Sequence, residues 1–247
     1  MSTALPVLAA AGICSAAAAA FAWTAWKGRG PRDSPPLAAI RRLNEIYLHL
    51  VHRLHVTPGP PGVPVPLQGP AIIVANHRSG VDPQAIQAGT KRIIHWLMAR
   101  EYYERRAMNW FFRLLGAIAV NRDGKDLGAT KAALRTLKEG HVVGLFPEGG
   151  IQLEGTEGEA ACRGPWGTLK SGAALLALHS GAPVIPVHVR GTPNLDSVFL
   201  ALLRPSRSTV AFGEPLRLEP RKGKPTREEI DAAARRIADE IARLGAL

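Results

Sequence analysis

Apolar and polar positions fall into three regimes along this 247-residue chain. Residues 2–26 carry no charged side chain, and eleven of the first 26 residues are alanine. Such a run, if helical, spans about 37 Å, enough to cross a hydrocarbon core of about 30 Å. In residues 37–56 the apolar side chains Leu43, Ile46, Tyr47, Leu50 and Leu54 recur at helical spacing, so an amphipathic helix is expected there. Pro58, Pro60, Pro61, Pro64 and Pro66 then make an extended linker.

Beyond the linker the pattern alternates between short apolar runs and helical periodicity. Strands are expected over residues 71–75, 93–98, 117–121, 141–146, 184–189 and 208–212, with further strand character at 216–218. Helices are expected from Pro83, over 109–115, over 127–138 before Gly140, and over 168–180 before Gly181. The last helix opens with a capping box, Thr226 to Glu229, and turns Ile230, Ile237, Ile241 and Leu244 inward. This alternation predicts an α/β fold, a largely parallel or mixed central sheet flanked by helices, preceded by an N-terminal membrane-associated helical segment. The expected division is 1–57 for anchor and amphipathic helix and 58–247 for the domain that carries chemistry.

Charge sharpens the N-terminal reading. Trp23 and Trp26 sit where an interfacial aromatic belt belongs, and Lys27, Arg29 and Arg32 follow at once. Retained as an anchor, the segment leaves the rest of the chain on the cytoplasmic side of a cell membrane. A cleaved signal peptide is the rival, and it lacks a basic region before the apolar run. Arg41, Arg42 and Arg53 are placed to meet lipid phosphates. His49, His52 and His55 spread over roughly 120° of the helix surface, with no carboxylate or thiol to complete a metal set. The chain carries 31 Lys+Arg against 20 Asp+Glu, a net +11, which calls for an anionic partner. No nucleic-acid-binding motif accompanies the charge. Two cysteines, Cys14 and Cys162, exclude a disulfide framework.

Four clusters stand at strand ends. In Asn76-His77-Arg78-Ser79-Gly80-Val81-Asp82, the imidazole and carboxylate are five residues apart and would point about 140° apart on a continuous helix. A turn, which Gly80 can supply, would let Asp82 accept from His77 Nδ1 and leave Nε2 as a general base. Asp82 before Pro83 equally suits an ordinary helix cap. Phe146-Pro147-Glu148-Gly149-Gly150 offers backbone N–H groups to an anion and a carboxylate to orient an acceptor. The strand over 117–121 delivers Arg122, whose fork suits phosphate. The strand over 184–189 leads into Arg190-Gly191-Thr192.

In this order the four clusters resemble the glycerolipid acyltransferase family, including 1-acylglycerol-3-phosphate acyltransferases. That family shows an Asn-His-x4-Asp block, a strand ending in Arg, a Phe-Pro-Glu-Gly block and a Val-Pro-rich strand. The likeness runs over roughly residues 68–216. It implies transfer of an acyl group from acyl-CoA or acyl-carrier protein to the hydroxyl of a lysophospholipid, most simply lysophosphatidate to phosphatidate. His77 would be the base, oriented by Asp82, and Asn76, Arg122, Glu148 and Gly149 would serve the substrate. No metal, no other cofactor and no acyl-enzyme are implied. The chain departs from the family where Gly150-Ile151-Gln152 replaces Thr-Arg-Ser. That resembles branches acting on other lysolipids such as lysophosphatidylethanolamine, and Arg163 or Lys170 would replace the lost charge. A lipid hydrolase would call for a Gly-x-Ser-x-Gly elbow, which is missing here. A membrane adaptor would have no use for the His77–Asp82 pair.

Overall fold

The structure is a computed structural model. It describes residues 35–57, 68–121, 126–148, 163–164, 167–168, 171–195, 197–219 and 223–246. The expected span over 2–26 and the Pro linker lie outside the described residues, as do Arg122, Gly149 and Lys170. No helix among the described residues is long and apolar enough to cross a membrane.

The strands are β1 (His55–Thr57), β2 (Ala71–Ala75), β3 (Ile94–Ala99), β4 (Ile118–Val120), β5 (Val142–Leu145), β6 (Arg163–Gly164), β7 (Gly167–Thr168), β8 (Val184–Arg190) and β9 (Thr209–Phe212). The helices are α1 (Pro35–Val51), α2 (Asp82–Ala88), α3 (Arg100–Tyr103), α4 (Asn109–Leu114), α5 (Leu127–Lys138), α6 (Gly172–Ser180), α7 (Val198–Leu203) and α8 (Arg227–Gly245). Seven strands form one sheet in the order β1-β9-β8-β2-β5-β3-β4, and β6 and β7 pair separately. The five strands from β8 to β4 run parallel, β9 is antiparallel to β8, and β1 runs parallel to β9.

The sheet is mixed, and its centre is apolar on both faces. All five residues of β2 are buried, as a strand covered on both sides requires. Ile72 and Val74 turn to one face, where Leu137, Leu178, Ile237 and Ile241 of α5, α6 and α8 pack. Ala71, Ile73 and Ala75 turn to the other, against Leu48 of α1, Ile86 of α2 and Ala201 of α7. The capping box at Thr226 and Glu229 forms in full.

Three expectations are corrected. The amphipathic helix stops at Val51 instead of running to residue 56. Arg53 takes a left-handed φ of 42°, and the chain turns into β1, which pairs with β9. With arginine where a glycine stop would be the usual signal, the end of the helix is invisible in sequence. Arg41 is buried and Arg42 pairs with Glu45 at 2.8 Å, so Arg53 is the exposed cation of that trio. Residues 216–218 contribute one isolated bridge, Leu216 to Val184, because Pro215 and Pro220 flank them and withhold ladder donors. The helix expected from residue 168 begins at Gly172, and Thr168 lies in β7.

Candidate active site

β2 sits between β5 and β8, so the loops leaving the carboxyl ends of three adjacent parallel strands converge. This is where open α/β sheets bind ligands. The loop after β2 brings Asn76 through Val81, the loop after β5 brings Phe146 to Glu148, and the loop after β8 brings Gly191 and Thr192.

Asn76 extends the β2–β8 ladder with its side chain. Its Nδ2 donates to the Val189 carbonyl at 2.8 Å, and its Oδ1 accepts the Val189 N–H at 2.7 Å. Both ends of the amide are occupied and the side chain is buried. These two bonds make Asn76 fix where the loop leaves the sheet.

The loop then folds back on Asp82. The carboxylate is fully buried, and Oδ2 accepts from the backbone N–H groups of Arg78 and Ser79, each at 2.8 Å. The same oxygen lies 3.0 Å from His77 Nδ1, and Oδ1 accepts the Thr192 hydroxyl at 2.7 Å. Asp82 is the first residue of α2 and makes no cap for it; the position before it is Val81. An ordinary helix-cap role is thus excluded for this side chain. A carboxylate that accepts every contact requires His77 Nδ1 to carry the proton, which leaves the Nε2 lone pair in the neutral ring. Nε2 has no hydrogen-bond partner among the described residues, and the His77 side chain is 14 % exposed.

The ring is held from behind by aromatic faces. His77 stacks on Phe146 with centroids 3.9 Å apart, and Phe146 stacks on Trp96 at 4.9 Å. Trp96 gets its place from Gly144, where a Cβ would stand 2.6 Å from the indole.

Glu148 reaches the same loop from β5. Its Oε2 accepts the His77 N–H at 3.0 Å. Burial, foremost, pushes its carboxyl up to about 8, the Asp82 charge adds to this, and the His77 N–H and Arg78 oppose it. Glu148 is therefore mainly neutral at pH 7. Among the described residues, no three His, Cys, Asp or Glu side chains converge as metal ligands.

Thr192, Trp96 and Phe146 are the site residues whose parts sequence reasoning did not assign. Thr192 was signalled only by its place after the Gly191 turn, and the stack by no local motif.

The family model for Acyltransferase matches residues 52–190, which contain all of these groups except Thr192. The chain belongs to the acyltransferase family. This acyltransferase is 24 % identical over 181 residues to a 1-acyl-sn-glycerol-3-phosphate acyltransferase of Bacillus subtilis, covering 73 % of this chain and 83 % of that one. It is 29 % identical over 175 residues to the 1-acyl-sn-glycerol-3-phosphate acyltransferase of Streptococcus pneumoniae, covering 70 % of this chain and 60 % of that relative. The crystal structure of the 1-acyl-sn-glycerophosphate acyltransferase PlsC from Thermotoga maritima shares the acyltransferase's fold, with a TM-score of 0.61, 20 % identity and coverage of 93 % and 89 % of the two chains.

Proposed function

We propose that the enzyme moves a fatty acyl group from acyl-CoA or acyl-carrier protein to the free hydroxyl of a lysophospholipid, most simply converting lysophosphatidate to phosphatidate. The observation that carries the reading is the His77–Asp82 contact at 3.0 Å, with Nε2 left as a proton acceptor at the ends of three parallel strands. The two curated relatives named for lysophosphatidate acyl transfer support the substrate class.

In this reading His77 Nε2 takes the proton of the acceptor hydroxyl as its oxygen attacks the thioester carbonyl carbon. The tetrahedral adduct collapses with cleavage of the C–S bond, and the imidazolium returns the proton to the leaving thiolate. Asp82 holds the tautomer and stabilises the imidazolium. Glu148, mainly neutral, fixes the His77 backbone and offers a carboxyl on the acceptor side, with Gly149. Arg122 holds the acceptor phosphate, and Lys170 adds charge near it. No metal and no other cofactor take part. The uncharged segment over 2–26 anchors the chain in the cell membrane with the catalytic part facing the cytoplasm.

A second acceptor reading rests on Gly150-Ile151-Gln152, which lacks an arginine after the Phe-Pro-Glu-Gly block. It favours a lysolipid with a different head group, such as lysophosphatidylethanolamine.

The test is His77→Ala in purified enzyme offered a lysolipid panel with both donors, products being read by mass spectrometry. Turnover is expected to fall on the order of 10²–10⁴-fold with the fold intact. Near wild-type transfer by the folded variant overturns the mechanism.

A further inference from the structure

The carboxyl end of β8 carries a set of basic groups that the mechanism has not used. A cavity of about 240 Å³ lies there, lined by His188 and Arg190 of β8, Thr209 and Phe212 of β9, and Arg243 and Leu244 of α8. Thr57 and Glu214 complete its polar wall. Three basic side chains thus face a single carboxylate. Arg243 is already committed, since it reaches Glu240 at 2.8 Å. Arg190 is exposed and pairs with no carboxylate among the described residues. The larger cavity between β4 and α5, about 400 Å³, differs in this respect. Its arginines, Arg100 and Arg135, are matched by Glu104 and Glu139 at 3.2 and 3.8 Å.

The cavity adjoins the catalytic loop. Gly191 takes a left-handed φ of 76° and turns the chain from Arg190 to Thr192, whose hydroxyl donates to Asp82. The buried His188 ring is held below the ordinary 6.5, first by burial and then by the charges of Arg190 and Arg78. Both guanidinium groups therefore lie within electrostatic reach of it, and Arg78 directly follows His77. The end of α8 closes the inner side, where a Cβ at Gly245 would stand 2.7 Å from His188 Nε2. β8 and β9 lie one and two strands from β2. At ordinary strand spacing that is about 5 and about 10 Å.

Both reagents of the proposed transfer carry phosphate. The acceptor phosphate is assigned above to Arg122; the donor brings its own. Acyl-CoA and acyl-carrier protein share a 4′-phosphopantetheine arm, which runs about a dozen bonds from sulfur to phosphate and reaches about 15 Å when extended. With its thioester at His77, such an arm crosses β8 and arrives over β9. We propose that the cavity at the end of β8 holds the phosphate of this arm. Arg190 is the principal donor to it through its fork. Thr209, which pairs with Arg190 in register on β9, adds its hydroxyl. Phe212 and Leu244 offer apolar contact to the methyl groups of the arm. This role of the cavity rests on the acyl-transfer mechanism proposed above.

The experiment offers the full chain three donors with one acyl chain: acyl-CoA, acyl-4′-phosphopantetheine and acyl-pantetheine. The first carries the nucleotide, the second the phosphate of the arm alone, and the third no phosphate. In Arg190→Ala the Michaelis constants for the first two are expected to rise at least about tenfold. Those for acyl-pantetheine and for the lysolipid stay within about twofold, since neither loses a charged contact. Arg190→Lys recovers part of the loss, keeping the charge without the fork. Thr209→Glu sets a carboxylate opposite Arg190 and reproduces the alanine pattern with the arginine intact. An equal rise for all three donors, or a rise for the lysolipid alone, overturns the proposal. So does a rise confined to acyl-CoA, which shows the nucleotide in the cavity in place of the arm phosphate.

Binding is read separately from turnover. Calorimetric titration of the wild-type chain is expected to show 4′-phosphopantetheine bound at least about tenfold more tightly than pantetheine, with the difference lost in Arg190→Ala. Equal binding of the two by the wild type overturns the site. A wild type that binds 4′-phosphopantetheine through Arg190 and transfers to no lysolipid of the panel upholds the phosphate site and overturns the acyl-transfer reading.

Discussion

The Thr192 hydroxyl donates to Asp82 Oδ1 at 2.7 Å, the carboxylate oxygen that the His77 ring does not use. It links the loop after β8 to the loop after β2 through a buried charge. Thr192→Val keeps the shape but leaves that oxygen without its donor, at a cost of about 1.5–3 kcal/mol for a bond to a charged group. We expect a lower melting temperature and a several-fold lower kcat, with both Michaelis constants nearly unchanged. Thr192→Ser restores the hydroxyl and should recover most of both. A valine variant as active and stable as wild type would remove Thr192 from the positioning of Asp82.

Gly144 supports the imidazole at third hand, through Trp96 and Phe146. In Gly144→Ala the new methyl would stand 2.5 Å from Ile94 Cγ2 and 2.6 Å from the Trp96 ring. Overpacking of this kind typically costs about 1–3 kcal/mol. The indole has to move, and the stack on His77 moves with it. Expected outcomes are a reduced urea midpoint, altered tryptophan emission and reduced kcat. Unchanged kcat in a destabilised variant would show that the stack serves the fold alone.

Near neutral pH the dependence of stability on pH follows from one acid and three bases. With Glu148 raised to about 8 in the folded chain, the native state keeps a proton that the unfolded chain has released above about pH 4.5. Stability therefore falls as pH rises towards 8 and levels off beyond it. His52, His95 and His188 have values pushed below the ordinary 6.5, in each case first by burial. They act in the other direction, so stability drops as pH falls below 6.5 and the unfolded chain takes up protons first. Glu148→Gln keeps an acceptor for the His77 N–H and removes the alkaline slope. Urea midpoints at pH 7 and pH 8, above the range in which the histidines act, should differ in wild type and nearly coincide in the variant. A wild-type midpoint that holds from pH 7 to 8 would mean that Glu148 is ionised throughout.

Arg122, next but one after β4 in sequence, carries the proposed phosphate contact. Arg122→Ala should raise the Michaelis constant for the lysophospholipid roughly 10- to 150-fold and that for the acyl donor much less. Lysine should rescue partly, keeping the charge without the fork. Mixed micelles with varied acceptor fraction are the suitable assay. A loss confined to the donor would reassign Arg122 to the phosphates of CoA or the carrier protein.

Most of the parallel sheet was legible because its strands are short apolar runs closed by turn residues, and Leu127–Lys138 matches its expected bounds. The elements that escaped are those with no local signal. β1 has three residues and exists through its pairing with β9, and α7 is six apolar residues that read equally well as a buried strand. At the site, His77, Asp82 and Glu148 could be singled out because their chemistry is carried by residue type and strand-end position. The roles of Asn76 and Thr192 could not, because they are set by β8 lying beside β2, a neighbour more than a hundred residues away.

That same separation governs the order in which the molecule is completed. Among the described residues β1 pairs with β9 alone, and His52 meets Ser206, 154 residues further along. At about 5–20 residues per second, a ribosome needs on the order of ten to thirty seconds to supply that partner. Throughout that interval the nascent chain holds β1 with an unpaired edge and α1 without the helix that fastens it. The sheet closes from its last strand back to its first, so a polypeptide stalled before residue 209 would be a substrate for chaperones or proteases at its beginning, far from where synthesis stopped.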